Sequence, residues 1–480
     1  MQWSGQYASD AQNLGKLLRT DASFDILQKP LTVGGRQAGL AFIDGFTKAE
    51  IMTKLLLSLV QITPEQLDGC RDIDDFMHRF VTYVETETVD TLERAVGTVL
   101  TGQLCLWIDG FAGAILIDAR EYPVRGITEP EDDRILRGAR DGFCETMLFN
   151  ATLIRRRIRD ARLTMEALQV GSTSRTDVVM CYMEGMEPKL VDQIRRKLQS
   201  ITIPALNMTQ ESLSECLVRS QWYNPFPRIR YTERPDAAAA AVLEGRVLLL
   251  IDNTPSVMIL PTGILDFIQN TNDYYFPPIA GTYLRLVRSL LFLSTLLVTP
   301  VWYLLMRQPE LMPPWLEFLR IKQPNSVPIL AQLLVVEVVI DGIKLASLNT
   351  PGSLSNAFGL VGALLLGEFA VNAGLFVPEV LLYMAFIAIG SFAQPSFELT
   401  YAFKLFRILF LILTALWGLW GLVGGAALML LVLVTTNTAV GKRYLYPVIP
   451  FNAEALGNLL LRRPLSRRNS HRRTEQSEDG

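Results

Sequence analysis

The chain has 480 residues, too many for one ordinary domain, and its formal charge of −3 averages three unlike regions. Residues 1–280 carry 29 Lys/Arg against 37 Asp/Glu, residues 281–461 carry only 10 and 8, and the tail from Arg462 adds six Arg against Glu475, Glu478 and Asp479. The acidic first half disfavours nucleic acid as a partner, and His78 and His471 alone leave no His-based triad or His-rich metal site.

Met1-Gln-Trp-Ser-Gly-Gln-Tyr has neither the basic nor the apolar region of a cleaved signal. Cys70, Cys105, Cys144, Cys181 and Cys216 lie far apart without metal-ligand spacing, which reads as reduced thiols in a cytoplasmic compartment. Three segments share an apolar run, an Asp-turn and a further apolar run: Ala38–Phe46, Leu104–Asp118 and Val247–Leu260. Each is expected to be a hairpin, because Asp-Gly and Asp252-Asn253 tolerate the positive φ of a tight turn. Turn chemistry explains these aspartates more simply than metal ligation. Asp177–Met183 reads as a further strand and Ile201-Thr-Ile-Pro as another, while Ala49–Ile62 and Pro188–Ile201 have helical spacing. The expectation is an α/β (α+β) cytoplasmic region of two lobes, 1–165 and 166–280. Arg155–Arg157 with Arg159 could grip phosphates or an acidic lipid surface; a solvated helix face paired with local acids is the simpler reading. The chain shows no P-loop, G-x-G-x-x-G or G-x-S-x-G and no catalytic constellation, so neither an enzyme nor a cofactor is expected.

Asn224-Pro-Phe-Pro-Arg-Ile-Arg-Tyr-Thr-Glu-Arg-Pro-Asp236 stands at the border of the two compositions. A helix is expected to start there, with Pro235 in its first turn and Thr232 or Glu233 near the cap. Thr232, Glu233, Arg234, Pro235 and Asp236, with Asp252 in the following turn, form a candidate module coupling the cytosolic region to the membrane helices.

From 281 to 445 the chain reads as a polytopic helical membrane domain, followed by a basic cytoplasmic tail, 446–480. Ser289–Met306 is uncharged and long enough for one span. Apolar stretches follow at Val327–Leu348, Leu354–Ala373, Val377–Phe392 and Leu405–Val434, the last breakable at Trp420-Gly421 or Gly424-Gly425. Six spans, alternatively five, are expected; six leave both termini, Lys404/Arg407 and Lys442/Arg443 inside. Intramembrane charge is costly and marks function. Glu337 and Asp341 share a helix face with Lys344 one turn on, and Glu368 and Asn372 form a second pair. Gly359, Ala363 and Gly367 continue a small-residue stripe from Ser355. With Val361, Leu365 and Glu368 the stripe suits a pore lining in a homo-oligomer; equally, the stripe only packs helices and Glu337–Lys344 is an internal or interfacial pair.

Thr232-Glu-Arg-Pro-Asp236, Leu243-Glu-Gly-Arg-Val247, the Asp252-Asn-Thr-Pro-Ser-Val turn, Arg137–Phe143, Leu153–Ile158, Gly281–Arg285, Leu375–Val380 and Tyr446–Asn452 resemble the signature of GerA-family spore germination proteins, A-subunit type. The resemblance covers about residues 20–461. Asn-Pro-Phe-Pro and Asp-Asn-Thr-Pro, where receptor subunits usually have Asp-Gly-Thr-Pro, point to a branch that amplifies germination alongside dipicolinate release rather than sensing nutrients. The resemblance implies the inner membrane of the bacterial endospore, a pentameric ion channel-like assembly, and as partners a small membrane protein and other germination proteins. A proton-coupled secondary transporter and a non-conducting scaffold are the alternatives.

Overall fold

Residues 1–83, 85–122, 138–218, 221–270, 273, 275–321, 327–349 and 370–461 are described by the computed structural model. They form two units: Met1–Ser220 with Ile229–Pro261, and Gln221–Arg228 with Thr262–Gly480. The chain thus leaves the first unit, returns to it for 229–261, and leaves again, a division other than the expected 1–165, 166–280, 281–445 and 446–480.

In the first unit, α1 (Tyr7–Leu18) precedes β1 (Ile26–Val33) and β2 (Arg36–Ile43). Gly34 and Gly35, at φ 51° and 77°, make the two-residue turn between these strands. The expected Ala38–Phe46 hairpin is therefore wrong: β2 pairs backward with β1, and Asp44-Gly45 only ends it. Helices α2 (Ala49–Val60), α3 (Pro64–Asp68) and α4 (Ile73–Phe80) lead to β3 (Thr86–Val89), α5 (Leu92–Val99), β4 (Leu104–Ile108) and β5 (Ala114–Ile117). Strand β4 is buried on both faces. Leu104, Leu106 and Ile108 join a core with Leu55, Leu59 and Phe76 of α2 and α4. Cys105 and Trp107 join another with Leu14, Leu18 and Val99 of α1 and α5. Two-sided burial explains why β4 and β5 read as unbroken apolar runs.

The second lobe repeats this plan with α6 (Met147–Arg157), β6 (Leu163–Val170), β7 (Thr176–Met183), α7 (Pro188–Gln199), α8 (Gln210–Leu217), β8 (Arg230–Thr232), α9 (Pro235–Leu243), β9 (Val247–Ile251) and β10 (Val257–Leu260). Ile201–Pro204 is not a strand. The two antiparallel sheets have equivalent orders, β1-β2-β4-β5-β3 and β6-β7-β9-β10-β8. Turn chemistry repeats as well. Asp109 accepts a hydrogen bond from Tyr7 N at the start of α1, and Asp252 accepts one from Met147 N at the start of α6. Gly110 N donates to Gly5 O and Asn253 N to Glu145 O. These aspartates fasten a helix start to a hairpin tip, which makes the first unit an internal duplication. Because α6 starts the second copy, that lobe begins before residue 147 rather than at 166.

Arg155 locks the copies together. Its fully buried guanidinium bonds both oxygens of Asp25 (2.7 and 3.0 Å) and the carbonyls of Asp160 and Leu163. Phe24 N donates to Met165 O, and Ser23 Oγ accepts from Met165 N. Arg156 lies over the Tyr122 ring, and Arg157 bonds Asp141 at 2.6 and 2.7 Å. Arg155 and Arg157 are thus committed to carboxylates of the fold, while Arg156 and Arg159 stay exposed. All five cysteines are unpaired, and burial pushes the Cys181 thiol up to about 12.

The second unit is helical: α10 (Pro278–Arg307), α11 (Ile329–Asn349), α12 (Pro378–Phe392), α13 (Phe397–Trp417), α14 (Leu419–Thr435) and α15 (Ala453–Leu460). Phe292 of α10 lies on Phe403 of α13, and Leu419 N meets the Gln308 side chain at 3.2 Å, so α10 and α13 run parallel. Trp302 on Tyr383, with Gln394 Nε2 donating to Arg288 O, makes α12 antiparallel to α10. The long apolar stretch does break, but at Gly418, whose φ is 59°. Trp420, Gly421, Gly424 and Gly425 stay helical, since Gly421 is needed for close packing: a Cβ there would lie 1.9 Å from Leu413 O. Among the described residues two helices, Pro278–Arg307 and Phe397–Trp417, are long and apolar enough to cross a membrane; α12 and α14 are shorter apolar helices. The expected six spans, alternatively five, are not confirmed by these two, and most of Leu354–Ala373 lies outside the described residues.

Asp25→Ala leaves the Arg155 guanidinium buried without its counter-charge, at a cost of about 3–5 kcal/mol. The expected result is a clearly lowered melting temperature for the full chain in detergent, followed by thermal unfolding.

Candidate functional site

Helix α13 carries the site. Ser396 caps it, accepting from Leu399 N at 3.2 Å, and its apolar sequence buries Phe403, Phe406 and Phe410 among α10 and α14. Lys404 and Arg407 stand one turn apart near its middle. On α11, Glu337 and Asp341 have the matching one-turn spacing. Arg407 Nε lies 2.7 Å from Glu337 Oε1, and Arg407 Nη1 donates to Thr295 O of α10 at 2.7 Å. Lys404 Nζ bridges Glu337 Oε2 at 3.2 Å and the Asp341 carboxylate. Glu337 and Arg407 are only 2% and 3% exposed. Two carboxylates and two cations therefore neutralise one another and tie three helices. Beside them is a cavity of about 10 Å³, room for about one water.

Within the chain Glu337 pairs with Lys404 and Arg407, so Lys344 does not form the internal pair with it that was one of the expected alternatives. Its ammonium lies 4.8 Å from the Phe392 ring and 5.8 Å from that of Tyr401, and it makes no ion pair among the described residues. Lys404 and Arg407 were expected at a cytoplasmic border. They lie within a candidate span instead, because the carboxylates of α11 compensate their charge. The readable signal was the match of i, i+3 cations to i, i+4 carboxylates. Gly359, Val361, Ala363, Leu365, Gly367 and Glu368 lie outside the described residues. Asn372 is exposed in a short helical turn, Ala370–Asn372.

The candidate coupling residues all sit in the second lobe. Pro235 opens α9 as expected; Arg234 takes the cap position, with Glu233 and Thr232 just before it. Thr232 Oγ1 accepts from Arg234 N at 3.2 Å, and Glu233 O accepts from Phe143 N at 2.8 Å. Arg234, 1% exposed, bonds Asp236 at 2.6 Å and Ala139 O at 3.3 Å. Asp252 holds the start of α6. Sequence reasoning missed Phe226, which is buried in the second unit. It stacks on Phe406 (5.3 Å between centroids, 19° between planes) and meets Phe403 edge-on.

Residues 12–474 match the family described as Bacillus/Clostridium GerA spore germination protein. The chain belongs to the GerA family. It is 37% identical to stage V sporulation protein AF of Bacillus subtilis (strain 168) over 441 residues, 92% of this chain and 89% of that protein. It is 28% identical to spore germination protein KA of the same organism, over 92% of this chain and 82% of that one. Among solved structures it is similar to the N-terminal domain of the A subunit of the Bacillus megaterium spore germinant receptor GerK3, at 22% identity and a TM-score of 0.42, covering 54% of this chain and 96% of that one. This chain is thus a GerA-family spore germination protein.

Removing Glu337 from this GerA-family chain strands Arg407 in an apolar bundle. Glu337→Ala is expected to lower thermal stability by about 3–5 kcal/mol, and Arg407→Leu added to it to restore part of that loss. A loss in the double variant equal to the sum of those in Glu337→Ala and Arg407→Leu alone would show that the pair is uncoupled.

Proposed function

We propose that the chain is a multi-pass protein of the endospore inner membrane, one subunit of an oligomeric, ion channel-like complex that promotes or amplifies germination and ion or dipicolinate release. The ionic cluster on α10, α11 and α13 carries this reading. Charge so deep among apolar helices costs at least ~2.5 kcal/mol per group unless paired or wet, and suits a conduction or gating role. Exposed aromatic residues support the membrane setting. Tyr283 and Tyr401 stand near one end of the helices, Trp315, Trp417 and Trp420 near the other, with exposed Leu290, Leu293, Phe386, Leu405 and Ile412 between. From Tyr401 to Trp417 the helix rises about 24 Å, near the ~30 Å of a hydrocarbon core.

The complex is a homo-oligomer, a pentamer by family analogy. A small membrane protein and other germination proteins are its partners, as receptor A subunits among its relatives suggest. Both termini are cytoplasmic. The Thr232–Asp236 module with Asp252 links lobe motion to the helices.

Full-length protein in detergent should form a single oligomer by mass photometry, and in liposomes it should pass monovalent cations down their gradient. Flux requiring an opposing gradient would favour a proton-coupled transporter working through Glu337 and Asp341; an absence of flux would favour a scaffold. Asp252→Asn is expected to slow germination of spores, read by the fall in optical density, with abundance on an immunoblot unchanged. Loss of the protein would make Asp252 a folding residue.

A further inference from the structure

The second sheet reaches the helical unit through both ends of one excursion, residues 229–261. In the first unit β8 and β10 are antiparallel neighbours, with Arg230 opposite Ile259. The two chain ends therefore leave the sheet side by side. In the second unit they remain side by side, because Thr262 Oγ1 donates to Arg228 O at 3.0 Å. Just before this clasp lies Asn224-Pro-Phe-Pro227, which is anchored in the bundle. Asn224 Nδ2 donates to Thr436 Oγ1 at 2.7 Å, and Asn224 Oδ1 accepts from Phe226 N at 3.1 Å. Tyr444, fully buried, donates its hydroxyl to Pro227 O at 2.6 Å, and its own carbonyl accepts from Ile264 N at 3.1 Å. Tyr444 thus grips both ends of the excursion. Phe226 stacks on Phe406 and meets Phe403 edge-on, the chain neighbours of Arg407 and Lys404. Between Phe226 and the first residue of β8 there are only Pro227, Arg228 and Ile229.

We propose that Asn224–Pro227 is a strap with Phe226 as its anchor, which passes displacement of the β8/β10 edge to helix α13 and so to the Glu337–Arg407 and Asp341–Lys404 pairs. Two physical features suit it to the task. The prolines at 225 and 227 stiffen the segment, so a pull is transmitted rather than absorbed by slack. The anchor is a ring seated among rings, which packs in discrete arrangements rather than yielding continuously. The strap deepens the coupling part of the proposed function by naming a different carrier, and it does not depend on oligomeric state or on conduction.

A double-mutant cycle read by hydrogen exchange on the full-length protein in detergent tests it. Arg230→Pro fixes φ and removes the N–H of a β8 residue paired with Ile259, perturbing the sheet edge. In the wild-type background this change should speed exchange over α13 residues 399–410 by about threefold or more, a local-stability effect transmitted from a distant edge. With Phe226→Ala, or with Phe226→Leu, which keeps apolar bulk without the stacked ring, the same edge change should leave α13 nearly unaltered. Equal transmission in both backgrounds, or none in the wild type, overturns the strap. A protein that fails to accumulate with either Phe226 replacement also overturns it, since Phe226 would then be a folding residue. Flux and stoichiometry are measured separately, so failure of the channel reading leaves this result legible.

Discussion

The burial of Arg407 in the middle of an apolar helix is the constraint on which the helical unit depends. A guanidinium cannot lie there alone, so α11 must present Glu337 at its level, and α10 must turn the Thr295 carbonyl toward it. Once that register is fixed, Lys404 falls within reach of Asp341, one turn along. Phe292, Phe403, Phe406 and Phe226 pack with one another in a separate aromatic layer. Charge complementarity sets which helices meet, and apolar packing fills what remains.

A comparable rule governs the first unit. A buried arginine, Arg155, meets a buried aspartate, Asp25, and the pair joins two copies of one α/β plan. Each copy fixes its first helix with an aspartate at a hairpin tip, Asp109 or Asp252. The ladder that follows is also shared, with Gly102, Leu106 and Ile108 in one copy matching Gly245, Leu249 and Ile251 in the other. The second copy differs where it matters for function. Its β8–β10 portion is flanked on both sides by segments of the helical unit, so the sheet is built across two chain crossings.

Much of the fold was legible. Apolar runs broken by Asp-Gly or Asp-Asn gave the β4–β5 and β9–β10 hairpins, because period and turn chemistry are local properties. The β1–β2 turn at Gly34-Gly35 was just as local and was overlooked in favour of Asp44-Gly45. Of the candidate site, Glu337 and Asp341 stood out as carboxylates in an apolar stretch. Their partners did not, because Lys404 and Arg407 sit at the composition edge of their own stretch, where a cation usually marks a membrane border. Arg155 was misleading for a similar reason: a run of three arginines reads as a solvated or ligand-binding face, and no local pattern shows Asp25, 130 positions away, waiting for one of them.

By itself the sequence determined family membership, two unlike halves, the turn-forming aspartates, and the presence of charges among apolar helices. These follow from composition, short-range periodicity and motif. The tertiary structure alone decided which charges neutralise one another, that the two lobes are copies, and that Asn224–Pro227 belongs with the helices rather than with the sheet it precedes. Each of those outcomes depends on groups far apart in the chain being brought to bonding distance, and burial of charge and of aromatic surface selects the partners only after folding has placed them.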